Sequence, residues 1–235
     1  MEENQDLDQT VRLKQRKFIK SDQHSELLRT IIDKENRRKS RSSINSTFNP
    51  ACLTECPRRI MYRCSGVDHS SPTSYLDIQT SIAAKKKWSN ILDNCKELKV
   101  LEENVVAADY EFNITGNVDI VLRMDEEIYE TQIKSIDSET FSRVQQKGAL
   151  KKDVVETLVY IWLTEIENGL LIYDNKNDGG FLLFHVTPYQ PIIKSVKAKC
   201  EKLTMQKVEG GLPERPYESG TSNECKVCEF LSMCW

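Results

Sequence analysis

Three cysteines fall within the last eleven residues of this 235-residue chain, spaced Cys225-x2-Cys228-x5-Cys234. Packing alone does not ask for three thiols in one tight loop, and a tetrahedral metal site would need a fourth ligand. Cys56, in Glu55-Cys56-Pro57-Arg58-Arg59, is the best candidate, with Cys52 four residues earlier as the alternative. A site shared by Cys56 and the terminal three closes a loop of roughly 170 residues, so whatever folds between them must bring its two ends together. Such a tie restricts the unfolded chain and stabilises the fold without any redox role. Zinc sites usually show two Cys-x2-Cys knuckles and only one is present, whereas lone thiolates are compatible with a four-iron, four-sulfur cluster. Structural zinc and four free thiols stay open as alternatives. Cys64, Cys95 and Cys200 read as small buried hydrophobes.

The chain has eight cysteines in all, but a disulfide framework is the weaker reading. The first ten residues, MEENQDLDQT, are polar and acidic where an export signal would be apolar. No run approaches the ~18 apolar residues of a membrane span. The expectation is a soluble, cytoplasmic protein that makes no membrane contact. A hydrophobic fraction of 39% can fill the core of one sizeable domain. Net charge is −3, so affinity for nucleic acid must come from local basic patches. Residues 1–45 are expected to form a basic arm, partly disordered or helical, with eleven Lys/Arg against four Asp/Glu between Arg12 and Arg41. Within it, residues 25–36 predict a short helix striped by Leu27, Leu28, Ile31 and Ile32. That arm is either simply solvated or in contact with phosphates, in which case binding would weaken steeply with salt.

Residues 46–235 read as the folded domain. Apolar residues at helical intervals predict a helix over 75–101, after Pro72. Strands are expected at 105–112, at 117–124 and at 128–135, with Gly116 as a break. In the second of these, Val118, Ile120 and Leu122 alternate with Asp119, Val121 and Arg123. A buried helix over 150–168 is expected to stop at Gly169. Strands at 170–174 and 181–186 make a hairpin around Asn175-Lys176-Asn177-Asp178-Gly179-Gly180, and a final helix covers 191–208. No internal repeat is visible. The order predicts a mixed α/β domain, a central sheet flanked by helices.

The chemistry concentrates in Gly116-Asn117-Val118-Asp119 and Tyr129-Glu130-Thr131-Gln132-Ile133-Lys134. Side chains on a strand alternate with a period of two, so Glu130, Gln132 and Lys134 share one face. If the two segments form a hairpin, Asp119 stands beside that row. A carboxylate, an amide oxygen and a lysine then converge, the groups that metal-assisted phosphodiester cleavage requires. The alternative is a hairpin whose polar face simply meets water.

GNVD followed by QIKS resembles the PD-(D/E)XK nuclease superfamily, whose pattern is an Asp, a short hairpin, then Glu/Asp-x-Lys. Gln132 stands where that family usually has a carboxylate. An amide oxygen can ligate a cation but adds no charge, which implies weaker metal binding, and Glu130 is the candidate to supply the missing charge. The RecB-like branch carries Gln-x-x-x-Tyr on the next helix; here the pair is Glu156 and Tyr160, on one helix face. By resemblance this pair touches DNA or steadies the active site. The metal-binding His of that branch is absent from residues 82–88, where Lys85 stands near its place. His24, His69 and His185 fall elsewhere and read as incidental.

CPRR with the terminal C-x2-C-x5-C is similar to the iron-sulfur nucleases of the AddB and CRISPR-adaptation type. In those proteins one upstream and three downstream cysteines clamp the ends of the nuclease domain. By resemblance the ligands here are Cys56, Cys225, Cys228 and Cys234. The resemblance covers residues 46–235, and the hairpin at Tyr173-Asp174-Asn175-Lys176 with Leu212-Pro213 is similar to bacteriophage-encoded members. It implies a restriction-endonuclease-like core closed by a 4Fe-4S cluster, acting in a prokaryotic cell as an Mg2+- or Mn2+-dependent exonuclease on single-stranded or frayed DNA. Asp119, Gln132 and the Ile133 carbonyl would hold the metal. Lys134 would position or deprotonate the attacking water and offset charge on the phosphate. Arg58 and Arg59, beside a cluster ligand, are candidate phosphate contacts or else simple surface charge, and a recombination, replication or integration protein is a candidate partner. The alternative is a catalytically degenerate DNA-binding or assembly protein with a structural iron-sulfur or zinc site.

Overall fold

The computed structural model describes residues 46–67 and 75–235, together with Thr30, Ile31 and Lys34. Those three residues apart, the expected basic arm and its helix lie outside the described residues, as do His24, His69 and Pro72. A 3-10 turn at Pro50–Cys52 leads to α1 (Pro57–Cys64) and α2 (Tyr75–Asp93). Three strands follow, β1 (Leu98–Asp109), β2 (Ile114–Met124) and β3 (Glu127–Ile136), then α3 (Ser138–Lys147) and α4 (Lys151–Thr164). The chain continues through β4 (Asn168–Asn175), β5 (Phe181–Val186) and α5 (Gln190–Val208) to two single-turn helices, α6 (Asn223–Lys226) and α7 (Leu231–Cys234).

The strands form one five-stranded sheet in the order β1-β2-β3-β4-β5. β1, β2 and β3 make an antiparallel meander, β3 and β4 run parallel, and β4 and β5 close an antiparallel hairpin. The parallel step needs a crossover, which α3 and α4 supply. On one face, Trp88 and Leu92 of α2 pack on Ile120, Leu122, Tyr129, Ile133, Leu170 and Ile172. On the other, Leu158 and Ile161 of α4 and Ile193 of α5 pack on Leu171, Tyr173 and Val186. This is the mixed sheet between helices that the sequence predicts. Among the described residues no helix is long and apolar enough to cross a membrane.

Several boundaries differ from expectation. The first long helix stops at Asp93 rather than running to residue 101, because Leu98, Lys99 and Val100 pair with Met124, Arg123 and Leu122 as the start of β1. Its stripe is also narrower: Trp88 and Leu92 are buried, whereas Leu76, Ile82 and Ile91 are exposed and Cys95 is only half-buried. The break between β1 and β2 is a turn where Asn113 takes a φ of 53°, and Gly116 lies inside β2. Glu165, with a φ of 57°, ends α4, leaving Gly169 within β4. The short helices were not expected. Pro57 at the first position of α1 is one signal for them, and the Asp137 side chain capping the Thr140 amide at 2.8 Å in α3 is another.

Side-chain alternation in β2 slips at Asp119. Val118 packs with Val121 and Tyr160, whereas Ile120 and Leu122 pack with Trp88. Across the ladder β1 shifts register between Val100 and Glu102, and Asn104 takes a φ of 54°. The expected alternation of Val118, Ile120 and Leu122 on one face is therefore broken where the acid stands.

Candidate active site

The β2–β3 ladder ends at Ile120 opposite Thr131, one step short of Asp119 and Gln132. Beyond that point the side chain of Asp119 takes over the pairing, its Oδ2 accepting the Ile133 amide at 2.8 Å. The N–H and C=O of one strand residue point the same way, so the Ile133 carbonyl also faces the gap between the strands. Asp119 Oδ1 accepts a hydrogen bond from Lys85 Nζ of α2 at 2.5 Å. Lys134, two positions after Gln132, donates to Glu156 Oε2 of α4 at 2.7 Å. Glu130, Gln132 and Lys134 thus share the face toward α4, and Asp119 lies at their edge.

Lys85, Gln132, Lys134 and Glu156 border a cavity of about 510 Å³, whose lining also includes Asn117, Tyr160, Thr47, Asn49 and Ala51; Asp119 lies behind Lys85 and does not itself line it. Its shape depends on Gly116, where a Cβ would stand 2.5 Å from the Tyr160 hydroxyl and 2.7 Å from Pro50. Tyr160 is buried against the backbone near Asn117, and burial beside Glu156 raises its phenol well above the ordinary value. A second cavity, about 650 Å³, adjoins the first through Lys85 and Lys134. It carries Arg143, Lys151, Lys152 and Lys176 with Asp137 and Asp153, so it is a predominantly cationic trough on a chain of net negative charge.

Protonation follows from these contacts. Burial by itself would push the Lys134 ammonium down, but Glu156, with Asp153 and Asp119 further off, holds it above its ordinary value. The pairing with Glu156 thus favours the protonated form of Lys134. Glu130 differs from its expected part. It is fully buried beneath Gln132 and does not line the cavity, and burial pushes its carboxyl well above the ordinary range. Burial therefore disfavours its charged form. Its Oε2 accepts the Gln132 amide nitrogen at 3.3 Å, which leaves the amide oxygen as the atom available to a cation.

The donor set is one of hard oxygens: the Asp119 carboxylate, the Gln132 amide oxygen and the Ile133 carbonyl. Among the described residues no three His, Cys, Asp or Glu side chains converge on a single ion. Mg2+ needs no such cage, since one or two carboxylates with water and substrate phosphate complete its shell. The residues present therefore fit a lightly held divalent cation.

The four cysteines that the resemblance implies as ligands line a separate cavity of about 240 Å³ between α1, α6 and α7. Cys56 precedes Pro57 at the start of α1, and Cys225, Cys228 and Cys234 approach from the terminal segment. Cys52 does not line that cavity; its sulfur accepts from Arg63 at 3.1 Å. Cys64 and Cys200 are buried, their thiols pushed up by burial to about 11 and about 12.

Arg58 and Arg59 are held in a latch instead of being free for phosphate. Arg58 donates to the Pro213 carbonyl at 3.0 Å, while Arg59 and Arg63 grip Glu229 at 2.6 and 2.7 Å. Tyr62 stacks at 5.2 Å on Phe230, and Lys199 of α5 donates to the carbonyls of Leu53 and Glu55 at 2.7 and 2.8 Å. Burial alone would raise the Glu229 carboxyl, but hydrogen bonds from Arg59, its own backbone and Arg63 bring it below the ordinary value. Nothing in the sequence marks Glu229, whose partners lie about 170 residues away. Lys85 is marked only by its register on α2. His185 contacts Asn168 at 3.1 Å and does not line either cavity beside Asp119.

No family model matches the sequence, and no curated protein matches it either. Solved structures do. The protein SSO0001 superposes with a TM-score of 0.53 at 18% identity over 88% of this chain and 96% of its own. An alkaline exonuclease, LHK-Exo from Laribacter hongkongensis, gives a TM-score of 0.55 at 8% identity over 73% of this chain and 93% of its own. It has also been solved in complex with dAMP. A phage-related exonuclease from Haemophilus somnus gives 0.50 at 9% identity over 70% of this chain and 96% of its own. At such identities the likeness is one of architecture, and in architecture this chain shares the fold of exonucleases.

Proposed function

We propose that the chain is a divalent-metal-dependent deoxyribonuclease that removes nucleotides from single strands or frayed duplex ends. The observation that carries this reading is the meeting of Asp119, Gln132 and Lys134 at the open end of the β2–β3 ladder, beside a cationic trough. The exonuclease architecture of LHK-Exo and the phage-related protein supports it.

Asp119, Gln132 and the Ile133 carbonyl would hold Mg2+ or Mn2+; when bound, the metal polarises the phosphate and acidifies a coordinated water. The chain's own residues do the rest. Ile133 fixes Asp119 through its amide, and Glu130 turns the Gln132 oxygen outward. Glu156 orients Lys134, whose charge faces the phosphate as negative charge develops on it. Arg143, Lys151, Lys152 and Lys176 guide the sugar-phosphate backbone, an interaction that weakens with salt. Tyr160 shapes the wall from which the strand approaches.

The full chain, given labelled single strands and duplexes, is expected to release nucleotides with Mn2+ or Mg2+ and to stop when EDTA is added. A second reading, a DNA-binding protein on a degenerate nuclease scaffold, is favoured by one observation, the Lys85 ammonium seated on Asp119. Tight DNA binding with no metal-dependent turnover would select it.

We infer further that Cys56, Cys225, Cys228 and Cys234 hold a 4Fe-4S cluster with a structural role. A cluster of this kind takes one thiolate at each iron, so its ligands surround a volume instead of meeting at a point, and the shared cavity suits that arrangement. Anaerobic purification is expected to yield a brown protein with about four iron and four sulfide per chain. A colourless protein with about one zinc would replace the cluster by a tetrahedral site.

A further inference from the structure

The Asp119 side chain is 3% exposed and both of its oxygens are engaged, Oδ2 by the Ile133 amide at 2.8 Å and Oδ1 by Lys85 at 2.5 Å. The carboxylate that lines the adjoining cavity, Glu156, is paired with Lys134 at 2.7 Å, and Gln132 is neutral. Among the described residues these two acids are matched by two ammonium groups, which leaves the pair of carboxylates without surplus negative charge to draw in a divalent ion. Ligand charge is a main determinant of how tightly such ions are held.

Lys85 lies where that balance can be changed. Its ammonium occupies the approach to Oδ1, and an ion bound at about 2.0–2.1 Å from the same oxygen could not share the space. The lysine stem is flexible and the side chain is 41% exposed. Because Lys85 lines both adjoining cavities, it can turn from Asp119 toward the trough without disturbing the core.

We propose that Lys85 is a tethered cation that fills the divalent-ion position beside Asp119 and must turn aside for the ion to bind. It thereby holds metal affinity low until a polyanion enters the cleft. A phosphate in the trough gives the displaced ammonium a new partner, so metal and DNA bind cooperatively. This inference rests on the nuclease reading above and concerns the same site.

The test is Mn2+ binding to the full chain, followed by loss of the free-ion signal in electron paramagnetic resonance, for the wild type and for Lys85→Met, Lys85→Arg and Asp119→Asn. Lys85→Met keeps the stem and removes the charge, and should bind Mn2+ roughly tenfold tighter or more. Lys85→Arg should stay weak, and Asp119→Asn should bind none. Non-cleavable single-stranded DNA should tighten Mn2+ binding in the wild type and have little effect in Lys85→Met. Equal or weaker Mn2+ binding in Lys85→Met, with binding still lost in Asp119→Asn, overturns the role of Lys85 and leaves the nuclease reading standing. No Mn2+ bound by any of the four proteins overturns both.

Discussion

Lys134→Met is expected to slow metal-dependent strand cleavage by roughly a hundred- to a thousandfold, the usual loss when a preorganised charge aimed at a reacting phosphate is removed. KM for DNA should change far less, because Arg143, Lys151, Lys152 and Lys176, the residues proposed to guide the backbone, are untouched. The ammonium is matched to its task by Glu156 at 2.7 Å, which keeps it protonated and points it into the cavity. Since its folded pKa is raised, the pairing contributes stability that is complete below the ordinary lysine value. That stability is lost only as pH rises through the elevated one. The alkaline fall of activity should therefore lie above the range where an unpaired lysine would deprotonate. Removal of Lys134 strands a buried carboxylate, so Lys134→Met with Glu156→Gln is the cleaner protein for the kinetics. If that double variant, folded by circular dichroism, cleaves within a few-fold of the wild type, Lys134 has no part in the chemistry.

The second large effect is on stability. Glu229→Gln should cost about 2 kcal/mol, because two arginines lose their charged partner while Glu55 still serves both at 3.5 and 2.8 Å. For a chain of this length that lowers Tm by roughly 4–8 °C. The Glu229 carboxyl titrates below its ordinary value of 4.5 in the folded protein, so its contribution is present above that value. It disappears as pH falls through the depressed one. Wild type and variant should differ clearly at pH 7 and converge in acid, in parallel urea titrations. A constant difference at both ends would mean that the lost stability is not that of the ion pair.

How far the sequence foretold this molecule depended on the range of the interaction. Period-two patterning placed Glu130, Gln132 and Lys134 together, and Cys225, Cys228 and Cys234 were legible because their spacing is local. The end of α2 was not legible: residues 94–101 carry apolar residues compatible with either period, and pairing with β2 decided for strand. The slip at Asp119 was invisible because alternation assumes a regular ladder. Alternation marks Glu130 as a candidate charge, and only the fold reveals its depth beneath Gln132, where burial disfavours the ionised form. The latch residues Arg59, Arg63 and Glu229 are ordinary surface residues by composition, and meet only once the ends of the domain have come together.

One short stretch, residues 47–56, lines the cavity beside Gln132 and Lys134 at Thr47, Asn49 and Ala51 and contributes Cys56 to the cysteine-lined cavity. Lys199 pins it midway, at the carbonyls of Leu53 and Glu55. Oxidative damage at the thiols would thus reach the cavity proposed to take DNA along a few pinned residues, with no need for a conformational relay through the core. Oxygen sensitivity of turnover would then be a property of the scaffold, whatever metal drives hydrolysis.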